Sequence, residues 1–226
     1  MIIDIYFIRH GDPNYEFDCL TDLGKRQANK TGEYLSNIPF DVVYASSLGR
    51  AMETASYTAK RLKLPIIKLD WAREDKAWEE ISMYYESRKG NSWIFKEGPY
   101  LQRMKELQDD PLWYKDSLFS PSVEQGIKRV NKALVEWLLS LNIVHDREKH
   151  TFKAIGDVKK NIALFAHGGF GSLFVSAITD MNYAYYVNHY HEHDCCGITH
   201  FRICLDDKTP IEIVDYNSIE HLKDIE

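Results

Sequence analysis

Four short apolar runs, each cut off by a polar or glycine-bearing break, constrain this chain more than anything else in it. They are Ile2–Ile8 (IIDIYFI), Asp41–Ala45 (DVVYA), Pro65–Leu69 (PIIKL) and Asn161–Ala166 (NIALFA). Runs this short, rich in β-branched and aromatic residues, predict buried strands rather than helices. Helical patterns separate them. Thr21 is placed to N-cap a helix running to about Leu35, with Asp22 in its first turn. Ser46 and Ser47 are expected to cap a second helix carrying Arg50 in its first turn, with Ala51, Ala55, Ala59 and Leu62 forming the stripe that packs on a sheet. Ile127, Val130, Leu134, Trp137, Leu138 and Leu141 mark a third helix, and Phe170 to Ile178 a fourth. His145 to Lys160 reads as a charged surface loop. Ile198–Leu205 and Ile211–Tyr216 read as a hairpin-like strand pair around Asp206 and Asp207. The alternation predicts a three-layer α/β/α sandwich around a largely parallel central sheet.

One stretch breaks the rhythm. From Asp70 to about Gln125, aromatic residues (Trp71, Trp78, Tyr84, Tyr85, Trp93, Phe95, Tyr100, Trp113, Tyr114 and Phe119) are scattered among charges and prolines. This predicts an insertion at about 76–125 within a single domain spanning 1–226, either a lid over a site or a helical piece with an aromatic core.

The net charge of −6 excludes bulk electrostatic attraction to nucleic acid or an anionic membrane. An anionic substrate would need a few arginines placed locally. No apolar run approaches the roughly 20 residues that span a bilayer, and no signal peptide is visible. Four cysteines, Cys19, Cys195, Cys196 and Cys204, are too few and too clustered for a disulfide framework in 226 residues. These features predict a cytoplasmic protein.

Three strands end in groups that carry chemistry: Arg9-His10-Gly11, the segment Ser46 to Arg50, and His167-Gly168-Gly169. In a parallel sheet these ends share one edge, so two histidines and two arginines can converge. The helix beginning near Gly169 would add unpaired backbone N–H groups and the positive end of its dipole. Two guanidinium forks and a helix start suit a tetrahedral dianion such as phosphate. A histidine at the centre suggests covalent catalysis by neutral imidazole, its pKa held down by the arginines.

Through Arg9-His10-Gly11, Leu20-Thr21-Asp22-Leu23-Gly24, the segment Ser46 to Ala55 (SSLGRAMETA) and His167-Gly168, in that order, the chain resembles the histidine phosphatase superfamily, the phosphoglycerate mutase-like enzymes. The resemblance implies that His10 is a nucleophile forming phosphohistidine, and that Arg9, Arg50 and His167 hold the phosphate oxygens. Gly168, Asn14 and Thr21 would also touch the substrate, a small phosphorylated metabolite. A carboxylic acid is expected to protonate the leaving oxygen. Glu74 is chosen over Asp75, Glu79 and Glu80 because it lies nearest the third strand, with Trp71 and Trp78 to wall it. The position of the family's usual Glu is Ala72 here. The resemblance implies no metal and no cofactor.

Where the mutases carry Glu-Ser and then Asn in the first loop, this chain has Asp12-Pro13-Asn14-Tyr15-Glu16-Phe17. That favours a phosphomonoester hydrolase over mutase-type phosphoryl transfer. An inactive phosphate- or phosphoprotein-binding module on the same fold is the reading from another class. The stretch His189 to Cys196, with His200, is dense in metal-ligand types but lacks separated Cys-x-x-Cys pairs. It reads as a loop before a strand. Arg73, Arg88 and Arg103 read as surface charges.

Overall fold

The computed structural model describes residues 1–85, 88–91 and 98–225, with backbone alone for residues 85, 88, 89, 91 and 98–100. Trp93 and Phe95 lie outside the described residues, as do the side chains of Tyr85, Arg88 and Tyr100. In chain order the elements are β1 (Ile2–Arg9), β2 (Pro13–Asn14), β3 (Cys19–Leu20), α1 (Asp22–Leu35), β4 (Val42–Ser46), α2 (Gly49–Leu62), β5 (Ile66–Leu69), α3 (Glu74–Glu80), β6 (Ser82–Tyr85), β7 (Arg88–Asn91), α4 (Gly98–Leu107) and α5 (Ser122–Ser140). There follow β8 (Ile143–Asp146), β9 (Thr151–Ala154), β10 (Asn161–Ala166), α6 (Gly168–Ile178), α7 (Tyr183–His189), β11 (Ile198–Cys204), β12 (Asp206–Pro210) and β13 (Glu212–Ser218). The chain forms two compact units: Met1–Arg73, Leu138–Gly168 and His193–Glu226 in the first, Glu74–Trp137 and Gly169–Glu192 in the second.

The first unit holds a six-stranded sheet of order β13-β11-β1-β10-β4-β5. β1, β10, β4 and β5 run parallel, β11 pairs antiparallel beside β1, and β13 pairs antiparallel with β11 at the sheet's edge. The fold is therefore mixed α/β with a largely parallel central sheet. β10 enters late in the chain and takes the slot between β1 and β4, which makes the carboxyl ends of those three strands neighbours. That reversal of strand order is where open α/β sheets place ligands.

The predicted strands fall where the apolar runs are, and β1, β4 and β10 supply buried side chains to both faces, whereas β5 is an edge strand with Ile67 exposed rather than the buried strand predicted. Ile8, Val43, Ala45, Ala163 and Phe165 join Leu35 of α1 and Ala55 and Ala59 of α2 in one core cluster. The opposite face, with Ile3, Ile5 and Phe7 of β1 and Ile162 and Leu164 of β10, is equally buried. The alanine stripe of α2 does what its spacing predicts, since small side chains let a helix approach a sheet closely.

Three further expectations are corrected. The stretch from His145 to Lys160 is not simply a loop: it holds the end of β8 and all of β9, an antiparallel pair with Asp146 opposite Thr151. β11 and β13 do pair, but Asp206 to Pro210 between them is itself a strand, laid on β9. Asp206 turns that segment by accepting from the backbone N–H groups of Lys208 and Thr209, so a charged sequence becomes an edge strand without apolar periodicity. The third helix begins earlier than its apolar spacing, at Ser122.

The second unit contains most of the predicted insertion together with α6 and α7. Some of its aromatic residues form a core, while Trp78 and Tyr84 are exposed. Trp113 stacks on Tyr183 at 5.2 Å and meets Phe119 edge-on at 5.0 Å. Arg129 grips Glu80 with a bidentate pair of 2.6 and 2.7 Å. Arg103 is bound to Glu106 and Asp116. No described helix is long and apolar enough to cross a membrane.

Candidate active site

His10 leaves β1 at the sheet's carboxyl edge and is wholly buried. Its backbone N–H donates to Ala166 of β10, and its carbonyl accepts from Cys196, so the peptide is held on both sides. Nδ1 lies 2.7 Å from the Gly11 carbonyl, which can only accept, so Nδ1 carries the proton. Nε2 is 3.2 Å from Nε of Arg50, which can only donate, so Nε2 carries the lone pair. One tautomer satisfies both contacts. Burial first, and the charges of Arg9 and Arg50 after it, push the His10 pKa down to about 3. The sequence assigned that depression to the arginines, but desolvation is the larger cause.

Arg50 lies in the first turn of α2, as expected, but the cap of that helix is not. The residue before the helix is Leu48, whose side chain makes no cap bond. Ser46 is instead buried beside His167, Oγ to Nε2 at 2.8 Å. The cap comes from Asp18, whose carboxylate accepts from the Gly49 N–H at 2.5 Å and from Nη1 of Arg50 at 2.6 Å. Gly49 is needed here, because a Cβ would stand 2.1 Å from the Asp18 carbonyl oxygen. The Tyr15 ring lies 5.2 Å from the Arg50 guanidinium carbon. Asp18 and Tyr15 carried no local signal in the sequence.

Thr54, one turn along α2 from Arg50, ties the helix to the histidine loop. Its hydroxyl accepts from Gly11 N–H at 3.1 Å and donates to the Arg50 carbonyl at 2.8 Å. Thr21 caps α1, accepting from Gly24 N–H while its hydroxyl donates to Asp12 at 2.6 Å. Asn14 accepts from the backbone N–H groups of Glu16 and Phe17 and so shapes the loop. Both residues expected against substrate thus have structural bonds of their own.

His167 follows β10, is fully buried, and faces His10 with ring centroids 5.1 Å apart. Burial, then the neighbouring His10, Arg50 and Arg9, hold its pKa well below the usual imidazole range. Arg9 donates through Nη1 to the His193 carbonyl. The segment carrying that carbonyl is pinned by Asn217, which accepts from Asp194 N–H at 2.7 Å and donates to its carboxylate at 2.8 Å. His10, Arg9, Arg50 and His167 therefore come together in the first unit, as the strand ends predict.

Glu74 belongs to the second unit, where it opens α3 and is 5 % exposed. Its Oε1 accepts from the Gly169 N–H at 2.7 Å. This amide, expected to be free at a helix start, is taken by a carboxylate. Trp78, expected to wall Glu74, is 45 % exposed. Three of the four histidines of the His189 to His200 stretch have separate partners: His189 bonds Tyr185, His193 bonds Thr199 and His200 bonds Asp4. All four cysteines are free, and Cys196 alone is buried.

A family model describing the histidine phosphatase superfamily (branch 1) matches residues 5–215. A 2,3-bisphosphoglycerate-dependent phosphoglycerate mutase 1 of Arabidopsis thaliana is 36 % identical over 89 residues, 34 % of this chain and 27 % of that protein. An uncharacterized phosphatase, PhoE, of Bacillus subtilis (strain 168) is 33 % identical over 93 residues, 37 % of this chain and 48 % of that protein. The chain thus spans less than half the length of these curated relatives. The crystal structure of a phosphoserine phosphatase from Entamoeba histolytica, in complex with 3-phosphoglyceric acid, shares the fold. It has a TM-score of 0.61 and 19 % identity, with 97 % of this chain and 99 % of that one covered.

Proposed function

The chain belongs to the histidine phosphatase superfamily, and on that premise we propose that it is a metal-independent phosphomonoester hydrolase acting through phosphohistidine. The observation that carries this reading is the single tautomer of His10, whose Nε2 lone pair is presented beside the Arg50 guanidinium. Nε2 attacks the phosphorus of a small phosphorylated metabolite, and the bond to the leaving oxygen breaks as Glu74 delivers its proton there. Arg9, Arg50 and His167 hold the three phosphoryl oxygens while charge shifts among them. Gly168, Asn14 and Thr21 line the substrate. Water then attacks the phosphohistidine and gives a proton to the Glu74 carboxylate. The P–N bond breaks, inorganic phosphate leaves, and His10 regains its lone pair. Free cysteines support a reducing, cytoplasmic setting.

Mutase-type transfer is the second reading, favoured by the likeness to the Arabidopsis mutase. The loop Asp12–Phe17 weighs against it. The test is incubation of wild-type protein and His10→Ala with p-nitrophenyl phosphate after treatment with chelator. Turnover with an acid-labile, alkali-stable phosphoenzyme is expected in the wild type alone. Activity that survives in His10→Ala, or that requires added metal, overturns the mechanism.

A further inference from the structure

The loop from Asp12 to Asp18, reading DPNYEFD, carries three carboxylates and no cation. It also turns two large aromatic side chains to solvent, the Tyr15 ring beside Arg50. Tyr15 is 64 % and Phe17 70 % exposed. The loop that carries them is held in place. Asn14 accepts from the N–H groups of Glu16 and Phe17 at 3.1 and 3.3 Å, an Asx turn that sets the loop's path. Asp18, next to Phe17, bonds Gly49 and Arg50, and the Tyr15 ring lies under the Arg50 guanidinium. Aromatic surface fixed beside a phosphate-binding arginine has a use when a substrate covers it.

The charges on the loop decide what kind of substrate that is. A second carboxylate or phosphate on the leaving group would meet Glu16 and the edge of Asp18, with no lysine or arginine in the loop to receive it. An apolar ring would meet two ring faces and cost the carboxylates nothing. Resting on the hydrolase reading above, we infer that the leaving-group side of the site takes an aromatic or apolar, uncharged alcohol. The substrate is then a monophosphate of an aralkyl or similar alcohol, not a phosphoglycerate with its added anionic group. Tyr15 and Phe17 are the residues that set this preference.

The test compares initial rates on benzyl phosphate, ethyl phosphate and 3-phosphoglycerate. All three release an alcohol, so differences in leaving-group chemistry are kept small. The expected order of kcat/KM is benzyl, ethyl, then 3-phosphoglycerate, with benzyl ahead of ethyl by about tenfold. Phe17→Ala and Tyr15→Ala should each reduce the benzyl-to-ethyl ratio by about three- to tenfold. Taking the ratio cancels any effect that Tyr15 has on the phosphoryl group through Arg50. Glu16→Gln should raise the rate on 3-phosphoglycerate relative to ethyl phosphate by about twofold. A wild-type preference for 3-phosphoglycerate over benzyl phosphate, or a ratio unchanged in both aromatic variants, overturns the inference and leaves the hydrolase reading standing. No turnover of any of the three, nor of p-nitrophenyl phosphate, would remove the hydrolase reading and this inference with it.

Discussion

Nε of Arg50 donates to Nε2 of His10 across 3.2 Å, while Nη1 of the same guanidinium is held by Asp18 at 2.6 Å. A single planar fork therefore aims the imidazole and is itself aimed by a carboxylate. Replacing Arg50 by Ala should cost on the order of 10²–10³ in kcat/KM, the scale of losing one preorganised charge stabiliser. Arg50→Lys should recover only part of this, because a point ammonium cannot meet His10, Asp18 and a phosphoryl oxygen in fixed directions at once. Steady-state kinetics of the two variants check this. Equal activity of the Lys variant and the wild type would remove the forked role.

Asp18 should act through Arg50 rather than on substrate. Its side chain is 38 % exposed and its two bonds end on Gly49 and Arg50. Asp18→Ala is expected to lower kcat/KM by about 10–100-fold, mostly through kcat, since a misplaced guanidinium is felt most in the transition state. The Asp18→Ala, Arg50→Ala double variant should be little worse than Arg50→Ala alone. Losses that simply multiply would show that Asp18 works independently of Arg50.

The same pair shows what could be read from the chain and what could not. The strand ends were legible because each apolar run stops at a break, and His10, Arg50 and His167 lie at or just beyond three such stops. α2 was legible from its alanine stripe. Its cap was not, because Ser46 is a good local candidate that is instead bound to His167, and the working cap lies 31 residues upstream in a loop. Gly169 fails in the same way, its N–H claimed by Glu74 from 95 residues away. The pairing of β8, β9 and β12 escaped because these short, charged strands carry no period-two apolar pattern. Local chemistry names candidates, and long-range bonds decide which of them are used.

Buried neutral histidines should make the fold acid-sensitive. His193 is fully buried, bonds Thr199 at 2.8 Å, and has its pKa pushed down to about 3 by burial and then by Arg9. His10 at about 3 and His221 at about 4 are lowered by burial as well. In the unfolded chain each would titrate near 6.5. Between that value and the folded one, the unfolded state holds protons that the folded state refuses, so stability falls as pH drops below about 6.5. Each histidine adds a slope of up to ~1.4 kcal/mol per pH unit. Urea unfolding from pH 7 to pH 5 should show this loss. His193→Phe should reduce the slope by about one proton's worth, whatever it does to stability at pH 7. An unchanged slope in that variant would mean that His193 is not neutral in the folded chain.

Glu74 is the residue on which acid and bystander can be separated most cleanly. A general acid matters in proportion to how badly the leaving group needs a proton. An alkoxide needs one greatly, and p-nitrophenolate hardly at all. Glu74→Gln suits the test because its amide oxygen can still accept from Gly169 N–H, the bond that Oε1 makes at 2.7 Å. The start of α6 is thereby kept while the transferable proton is lost. Hydrolysis of an alkyl phosphate should fall by roughly 10²–10⁴, the usual contribution of general acid catalysis, and p-nitrophenyl phosphate hydrolysis far less. Parallel kcat/KM measurements on the two substrates give the result directly. If both fall alike, Glu74 serves to hold the Gly169 amide and the helix behind it. The proton must then come from another carboxylate of the same stretch, Asp75 or Glu79, and the same pair of substrates applied to their amide variants would find it.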